Sequence, residues 1–421
     1  MEISLKQSKR KGADTNSSVS CKFDADIGCC TAAKMENANY PSIDILGSTG
    51  SVGEQAIDVA RQKNIKVVSI CANSNYKRVE QQAREFKPAF CAMADEGAAM
   101  QLRASLADTN IRVFGGALGI CEAIATSKAQ ISINSILGEA GLLPTLEIIK
   151  QKKKLALANK ESLVVAGDIV MKKAAEQGVE IVPVDSEHCA IYQCLMAGRA
   201  EDVKKLIITA SGGPFFGYNR ERLKGITLED TLAHPTWKMG AKITTDSATL
   251  MNKGFEVIEA SHLFGVSADK IDVVVHPESI IHSMVEYIDN SVIAQMSVPD
   301  MRFCVQFAIT SPVRDFGIIN ELDLVKLAKL SFYKPDEETF ILLDYAKRAL
   351  KMGGAVPAVL NASNEIAVGA FLKRRISFID IFNIVTKTVD HFASNACKIS
   401  DFNGILDADK AAREFSKTYI S

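Results

Sequence analysis

A glycine-rich segment near the start of the chain constrains the fold more than any other feature of the sequence. Residues 42–46 have the composition of a short buried strand, and residues 51–63 have the pattern of an amphipathic helix. Gly47, Gly50 and Gly53 lie at the junction between them. Glycines in such a unit allow a tight turn, a close backbone approach to a pyrophosphate and close helix–strand packing. The spacing is G-x-x-G-x-x-G, not the commoner G-x-G-x-x-G, so a plain glycine-rich turn is the alternative interpretation.

Beyond this unit, short apolar runs alternate with amphipathic stretches of helical length. Strands are predicted at 66–71, 89–93, 131–136, 155–158 and 181–184, and a helix at 78–86. A chain that alternates strand and helix in this way forms a parallel, doubly wound sheet. We therefore predict an α/β, Rossmann-like domain at 41–185.

The pattern changes after this domain. Predicted strands at 205–209, 272–275 and 292–297 are mixed with loops rich in glycine, proline and polar residues, which is typical of an α+β domain that carries chemistry on its loops. Helices predicted at 338–352, 358–373, 378–392 and 408–419 indicate a small bundle. The predicted divisions are a catalytic domain at 186–310, a connecting segment at 311–336 and a C-terminal helical domain at 337–421.

Charge and composition exclude several classes of protein. Lysine and arginine number 49 and the acidic residues 50, so a net charge of -1 gives no overall field to hold nucleic acid or an anionic membrane. The sequence has no apolar run near the roughly 20 residues of a membrane helix. Its ten cysteines include no Cys-x-x-Cys pair, so we expect reduced thiols and no structural zinc site.

Residues 1–40 are a separate question because they are polar and lack the apolar core of a secretory signal. A basic cluster at 9–11 is accompanied by several acidic residues, whereas transit peptides are poor in acids. We expect a disordered N-terminal extension, with organelle targeting as the alternative. A cytoplasmic protein of bacterial type is the default localisation.

The end of the second predicted strand bears on the choice of dinucleotide. An NAD site usually places an acidic residue there to bind the ribose 2′-hydroxyl. This chain has Ala72 followed by Asn73, Ser74 and Asn75. A carboxylate would repel a 2′-phosphate, so its absence favours NADP. Lys77 and Arg78 are close enough in sequence to add positive charge, although a solvated basic surface explains them equally well.

Acidic residues follow the last strand of this domain. Asp185 and Glu187 are two positions apart, and in extended chain such side chains point the same way. Adjacent carboxylates repel unless a cation or proton lies between them, and oxygen ligands suit Mg²⁺ or Mn²⁺. Glu256 and Glu259 share a helix face and could supply a third carboxylate. A solvated acidic strand end is the alternative.

Two polar loops could bind a phosphate monoester. Ser211 begins a Ser-Gly-Gly-Pro turn whose backbone could form an anion nest, and residues 246–254 gather hydroxyl, amide and ammonium groups. Between them lies 232–240, which contains the single tryptophan. The alternative for 246–254 is that Asp246 or Ser247 simply caps a helix that continues through Glu259. His276 and His282, beside an apolar strand, are interpreted as structural.

Several strings occur in the order found in one enzyme family. They are Gly-Ser-Thr-Gly-Ser-Val-Gly at 47–53, Leu-Ala-Asn-Lys-Glu-Ser at 157–162, Pro-Val-Asp-Ser-Glu-His at 183–188, Ser-Gly-Gly-Pro-Phe at 211–215, His-Pro-Thr-Trp-Lys-Met-Gly at 234–240, Asp-Ser-Ala-Thr-Leu-Met-Asn-Lys-Gly at 246–254, His-Pro-Glu-Ser at 276–279 and Asn-Ala-Ser-Asn-Glu-Ile-Ala-Val at 361–368. From residue 42 to its C-terminus the chain resembles the 1-deoxy-D-xylulose 5-phosphate reductoisomerases of the non-mevalonate isoprenoid pathway.

The resemblance implies an NADPH-dependent homodimer that also needs a divalent cation, Mg²⁺ or Mn²⁺, with Co²⁺ as a further candidate. Its reaction converts 1-deoxy-D-xylulose 5-phosphate to 2-C-methyl-D-erythritol 4-phosphate by retro-aldol/aldol isomerisation and hydride reduction. The implied catalytic residues are Lys160, Asp185, Glu187, His234 and Glu256, of which Asp185, Glu187 and Glu256 are the metal ligands. The implied substrate contacts are Lys160, Ser186, Glu187, Ser211, His234, Ser247, Asn252, Lys253 and Glu256.

The resemblance also implies a cofactor site and a moving loop. The implied cofactor contacts are Ser48, Thr49, Gly50, Ser51, Val52, Ala72, Asn73, Ser74, Asn75, Asn159, Glu161, Gly240 and Met301. The loop around Trp237 corresponds to a flap that closes over substrate. Many members of the family carry a basic residue where this chain has Asn73–Asn75, so the preference for NADPH is expected to be weaker here.

Two other functions are weighed against this one. An NADP-dependent semialdehyde or sugar dehydrogenase without isomerisation would need no site made of three carboxylates. A dinucleotide-sensing protein would keep the glycine turn but have no need of Lys160, His234 and the acidic cluster. Neither nucleic acid nor a membrane is an expected partner.

Overall fold

The computed structural model describes residues 40–237 and 239–420. The predicted disordered extension at 1–40 lies outside the described residues, except for its last residue. None of the helices within the described ranges is long and apolar enough to cross a membrane.

Seven parallel strands form the first sheet, as the alternating sequence pattern predicts. They are β1 Ile43–Leu46, β2 Val67–Ala72, β3 Phe90–Met93, β4 Arg112–Gly115, β5 Ile131–Asn134, β6 Lys154–Leu157 and β7 Ile181–Pro183. The helices that connect and follow them are α1 Ser51–Gln62, α2 Tyr76–Phe86, α3 Glu96–Ser105, α4 Gly116–Thr126, α5 Leu142–Lys150, α6 Glu161–Gln177 and α7 Ser186–Leu195. The strand order β4-β3-β2-β1-β5-β6-β7 reverses direction between β1 and β5, which is where a doubly wound sheet binds its ligand.

A buried charge holds the centre of this sheet together. The Asp44 carboxylate, which has no solvent exposure, accepts hydrogen bonds from the hydroxyls of Ser69, Ser127 and Ser132. The Lys153 ammonium lies 2.8 Å from the same carboxylate and also donates to the carbonyl of Ile124. A charge in an apolar sheet is stable only with such partners, so this network has a structural role.

A mixed sheet of four strands forms the second layer. It contains β8 Val203–Ala210, β9 Ile271–Val275, β10 Ile281–Tyr287 and β11 Val292–Met296, in the order β11-β10-β8-β9. Only β8 and β9 are parallel. The helices in this part of the chain are α8 Arg220–Leu223, α9 Leu228–Leu232, α10 Ala241–Ala248, α11 Met251–Phe264, α12 Met301–Thr310 and α13 Leu324–Leu327.

Four helices end the chain and confirm the predicted bundle. They are α14 Leu342–Met352, α15 Val356–Leu372, α16 Phe378–Ala396 and α17 Phe402–Lys417. Helix α15 is buried along most of its length and packs against α16, α17, α14 and α6. One apolar core runs from Leu157 in the first sheet through Leu206 and Phe255 to Leu360 in the bundle. The division into separate domains remains a prediction.

One local prediction differs from the structure. The segment from Asp246 to Glu259, interpreted as one helix capped at Asp246 or Ser247, is two helices that meet at Leu250, whose φ is +59°. Asp246 and Ser247 therefore lie near the end of α10, and the capping interpretation is wrong.

Candidate active site

A cleft of about 480 Å³ lies at the carboxyl ends of the parallel strands. Its walls include Gly50–Val52 after β1, Ser135 after β5, Lys160 after β6 and Asp185 after β7. Ser211, which follows β8 of the second sheet, lines the same cleft. The loops of both sheets therefore meet around one cavity, as is typical of enzymes with this layered architecture.

The glycine segment forms the turn that its sequence predicts. Gly47 has a φ of +79°, and the Gly50 N–H donates to its carbonyl at 2.9 Å. A Cβ on Gly53 would lie 2.1 Å from the Gly47 carbonyl oxygen, so only glycine lets α1 begin this close to β1. Gly50 caps α1 without a side-chain hydrogen bond. The N–H groups of the first turn are thus left to an anion, and the cradle fits a pyrophosphate.

The second strand ends beside this turn but outside the cleft. Asn73, Ser74 and Asn75 are exposed, and the Asn75 side chain accepts a hydrogen bond from the Arg78 backbone N–H to cap α2. The Arg78 guanidinium makes two hydrogen bonds of 2.6 Å to Glu54. Lys77 is exposed, so of the two basic residues it is the one free to approach a 2′-phosphate.

The other predicted cofactor contacts divide into two groups. Glu161, Gly240 and Met301 line the cleft. Asn159 is buried and donates to the carbonyls of Ile136 and Gly138, at 2.7 and 2.9 Å, so it holds the loop after β5 in place. Ser48 and Thr49 lie in the turn behind the cleft wall, and Ser48 is completely buried.

Three acidic side chains converge at the base of the cleft. Ligand atoms of Asp185, Glu187 and Glu256 all lie within 4.8 Å of one another. Asp185 and Glu187 do not lie in extended chain, as the sequence argument assumed, because Asp185 caps α7 and Glu187 is in its first turn. Burial, together with the negative charges of Glu187 and Asp185, raises the pKa of Glu256 to about 7. Such crowding of oxygen ligands fits a divalent cation.

Two ammonium groups lie among these carboxylates. The Lys160 Nζ is 2.8 Å from Asp185 and 3.3 Å from Glu256, and the Lys253 Nζ is 2.6 Å from both Glu187 and Glu256. Burial opposes both charges, but the carboxylates outweigh it and raise the pKa of each lysine. The side chain of Asn252 bridges Lys160 and Glu256. The two lysines therefore offset part of the negative charge of the three carboxylates.

His188 and Glu259 lie behind these carboxylates; the sequence argument named Glu259 only as a possible third carboxylate and did not identify His188 as part of the site. The His188 Nδ1 lies 3.3 Å from Asp185 and 3.4 Å from Glu259, and its Nε2 donates to the Glu256 carbonyl at 2.9 Å. Burial opposes protonation, but the acidic neighbours raise the pKa of His188 to about 9. His188 thus fixes the orientation of Asp185. Its position three residues after Asp185 was the available signal.

The remaining six predicted substrate contacts line the same cleft, some of them beside the acidic side chains. They are Ser186, Ser211, His234, Ser247, Asn252 and Lys253. The Nδ1 of His234 accepts the backbone N–H groups of Thr236 and Trp237, so its Nε2 carries the proton and donates to the Ser211 hydroxyl at 3.0 Å. Burial and the Lys253 charge lower the pKa of His234, which keeps the imidazole neutral.

Two further residues line the cleft, whereas the two histidines interpreted as structural do not. Lys242 and Asp246 line it, although only Asp246 lay in a segment that the sequence singled out. His276 accepts the N–H groups of Ile280 and Ile281 and so shapes a turn. His282 pairs with the Ser297 hydroxyl at 2.9 Å. Both contacts are structural, as predicted.

Comparison with known proteins gives consistent matches along the chain. Models of the 1-deoxy-D-xylulose 5-phosphate reductoisomerase family match residues 43–167, and models of its C-terminal domains match 181–264 and 296–415. The reductoisomerase of Acetivibrio thermocellus is 52% identical over 378 residues, which are 90% of this chain and 99% of that one. That of Chlorobium chlorochromatii is 48% identical over 382 residues, 90% and 99% of the two chains.

Solved structures give the same result. The reductoisomerase of Zymomonas mobilis in complex with NADPH is 40% identical, with a TM-score of 0.83 over 90% of this chain and 98% of that one. A second reductoisomerase, in complex with NADPH, fosmidomycin and magnesium, is 36% identical, with a TM-score of 0.85 over the same shares of the two chains.

Proposed function

The chain belongs to the 1-deoxy-D-xylulose 5-phosphate reductoisomerase family, and we propose that its cleft carries out that reaction. The substrate, 1-deoxy-D-xylulose 5-phosphate, is rearranged by cleavage and re-formation of a carbon–carbon bond, and NADPH then reduces the product to 2-C-methyl-D-erythritol 4-phosphate. One observation carries this proposal: three acidic side chains, of which Glu256 is fully buried and the other two are partly buried, face a phosphate-binding turn across a single cleft. A simple dehydrogenase would have no use for that acidic cluster.

Asp185, Glu187 and Glu256 are the proposed ligands of the divalent cation. Their oxygens are close enough to share one ion, and Mg²⁺ and Mn²⁺ both prefer carboxylate oxygen. When bound, the cation acts as a Lewis acid toward substrate oxygens and as a template. Lys160 and Lys253 contact the same carboxylates, so Lys160 is placed to hold or move a proton at the substrate and Lys253 to bind an anion.

Recognition of the sugar phosphate falls to neutral and cationic groups that line the same cleft. Ser211, Ser247, Asn252 and Lys253 offer hydroxyl, amide and ammonium donors to the phosphate and hydroxyl oxygens. His234 adds an Nε2–H donor. Ser186 presents a hydroxyl beside Glu187. We propose that the segment carrying Trp237 closes over the bound substrate, because four of its residues, His234, Thr236, Trp237 and Met239, line the cleft.

The proposed cofactor site follows the glycine turn. Its pyrophosphate would lie on the N–H groups of Gly50, Ser51 and Val52, while Glu161, Gly240 and Met301 line the path toward the acidic cluster. The exposed Asn73–Asn75 segment offers no carboxylate to a ribose 2′-hydroxyl, and exposed Lys77 supports binding of a 2′-phosphate. Ser48, Thr49, Ala72 and Asn159 support the site from behind or beside the cleft wall.

A homodimer in the cytoplasm completes the proposal. Strand β11 is at one edge of the second sheet, and its Val292 and Ile293 are 46% and 38% exposed. An uncovered edge strand with apolar side chains supports pairing with a second copy of the chain. Light scattering on the purified protein measures the mass directly. The cytoplasmic assignment rests on the bacterial relatives.

The test of this function compares two matched variants. Glu256→Gln removes one proposed metal ligand, whereas Glu286→Gln removes a carboxylate that pairs with Lys204 and Lys205 on the second sheet. With 1-deoxy-D-xylulose 5-phosphate, NADPH and Mg²⁺, we expect the first to lower kcat about 100-fold or more and the second to leave it unchanged. Near wild-type turnover by Glu256→Gln would overturn the ligand assignment.

A further inference from the structure

The buried segment Asn361–Glu365 of α15 has no part in the proposed chemistry, yet it is strongly polar. Asn361 and Asn364 have no solvent exposure, although they lie in a helix whose other buried residues are mostly apolar. Burying an amide is costly unless its hydrogen bonds do something for the fold. The Asn361 amide donates to Glu365 in the same helix at 3.1 Å, whereas the partner of Asn364 lies in α10, outside the bundle.

One set of contacts leads from α15 to the cofactor end of the cleft. The Asn364 side-chain amide donates to Asp246 at 2.8 Å, and Asp246 lies 2.9 Å from the Lys242 ammonium. Lys242 in turn lies 2.6 Å from Glu161, at the start of α6. Asp246, Lys242 and Glu161 all line the cleft. The bundle is therefore joined to the cleft by a continuous chain of hydrogen bonds and ion pairs.

A second set of contacts leads from the same turn of α15 to the loop after β5. The Glu365 carboxylate accepts the Glu139 backbone N–H at 3.3 Å and pairs with Arg413 at 2.8 Å. Gly138, with φ at +71°, packs so closely that a Cβ there would lie 2.8 Å from the Glu365 carboxylate. Helix α15 thus holds two separate walls of the cleft.

We infer that Asn364 is a positioning residue that sets the flap for the proposed reaction. It fixes Asp246 and, through Asp246, Lys242 at the start of α10. The chain that precedes α10 carries His234 and Trp237, so the place of α10 decides where these two side chains meet the cleft. Lys242 also contacts Glu161, so the same chain of contacts links the flap with the cofactor end. This inference rests on the proposed function only for the identity of the cofactor and the substrate.

The single tryptophan of the sequence makes the inference directly measurable. Because Trp237 is the only one, tryptophan fluorescence reports on this segment alone. Asn364→Ala should shift the emission of the metal-free protein and weaken NADPH binding, measured by calorimetry, about 10-fold. The control is Thr388→Val, which removes a 3.0 Å hydrogen bond between Thr388 and Ser416, both fully buried in the same bundle. Thr388→Val should lower the melting temperature without changing the tryptophan emission or the affinity for NADPH.

The outcomes separate this inference from the proposed function. If Asn364→Ala matches wild type in both readings, or if Thr388→Val changes them equally, the positioning role is overturned. If Asn364→Ala does not fold, Lys242→Met serves as the second variant, because it breaks the same series of contacts at a partly exposed residue. Lys242→Met must then shift the tryptophan emission. An unshifted emission overturns the inference. A shift in a protein that does not turn over 1-deoxy-D-xylulose 5-phosphate supports the positioning role while the proposed function fails.

Discussion

Replacing Glu256 by glutamine should stabilise the metal-free protein even as it removes activity. The carboxyl group has no solvent exposure, and burial with the charges of Glu187 and Asp185 raises its pKa from 4.5 to about 7. An acid whose pKa is raised by folding is harder to ionise in the folded state. Its ionisation therefore lowers the free energy of unfolding as the pH rises from about 4.5 to about 7. Glutamine resembles the protonated acid and escapes this penalty.

The size of the effect follows from the shift in pKa. Each pKa unit corresponds to about 1.4 kcal/mol, so ionised Glu256 lowers the free energy of unfolding by about 3 kcal/mol at any pH well above about 7. Unfolding entropy of about 2 cal/mol/K per residue converts this to a rise of about 4 °C in the melting temperature of Glu256→Gln at about pH 8. Mg²⁺ at a hundredfold excess over its Kd stabilises a protein by about 2.7 kcal/mol, and only wild type should gain it. Saturating Mg²⁺ should therefore raise the melting temperature of wild type nearly to that of Glu256→Gln.

Thermal unfolding at two values of pH, with and without Mg²⁺, measures this difference in melting temperature between wild type and Glu256→Gln. At about pH 3.5 the two proteins should melt together, because the carboxyl group is then largely protonated in both the folded and the unfolded chain. Glu286→Gln is the control and should show no rise and no response specific to metal. A metal-free Glu256→Gln that melts below wild type at about pH 8 would refute the reasoning, since it would mean that Lys160 and Lys253 more than compensate the crowded carboxylates.

Three further predictions follow from other parts of the chain. Gly53→Ala places a Cβ 2.1 Å from the Gly47 carbonyl oxygen, so it should abolish NADPH binding in calorimetry while the Mg²⁺ site of any folded protein survives. Lys153→Met leaves the Asp44 carboxylate buried without its cation and should lower the free energy of unfolding by about 3–5 kcal/mol in urea titrations; unchanged stability would contradict this. Because burial and Lys253 lower the pKa of His234, its neutral form should persist through neutral pH, and its NMR titration should fall below that of a free histidine.

The fold and the glycine turn could be predicted because their signals are local. Three glycines in one short segment define a turn whatever the rest of the chain does, and strand–helix alternation defines a parallel sheet. Strand β4 and helix α4 were missed because β4 is a short, partly exposed edge strand and α4 is apolar with little polar contrast. Periodicity alone gives no clear signal for either.

The acidic cluster shows where local reasoning ends. Asp185 and Glu187 were expected to converge in extended chain, whereas the start of α7 brings them together. The charges of Lys160 and Lys253 depend on partners that are up to 96 residues away in sequence, and no spacing rule reaches that far. The helix pattern offered Glu256 and Glu259 as the third carboxylate, the family resemblance selected Glu256, and α11 brings it to the cluster.

The most direct test of the central claim is the reaction itself, followed through NADPH absorbance with wild-type protein, 1-deoxy-D-xylulose 5-phosphate and Mg²⁺ or Mn²⁺. Parallel runs contain a chelator or replace NADPH with NADH. The account predicts oxidation of one NADPH for each 2-C-methyl-D-erythritol 4-phosphate formed, complete loss of turnover with the chelator, and recovery when metal is restored. Turnover that survives chelation, or a reduced product that keeps the unbranched carbon chain, would contradict it.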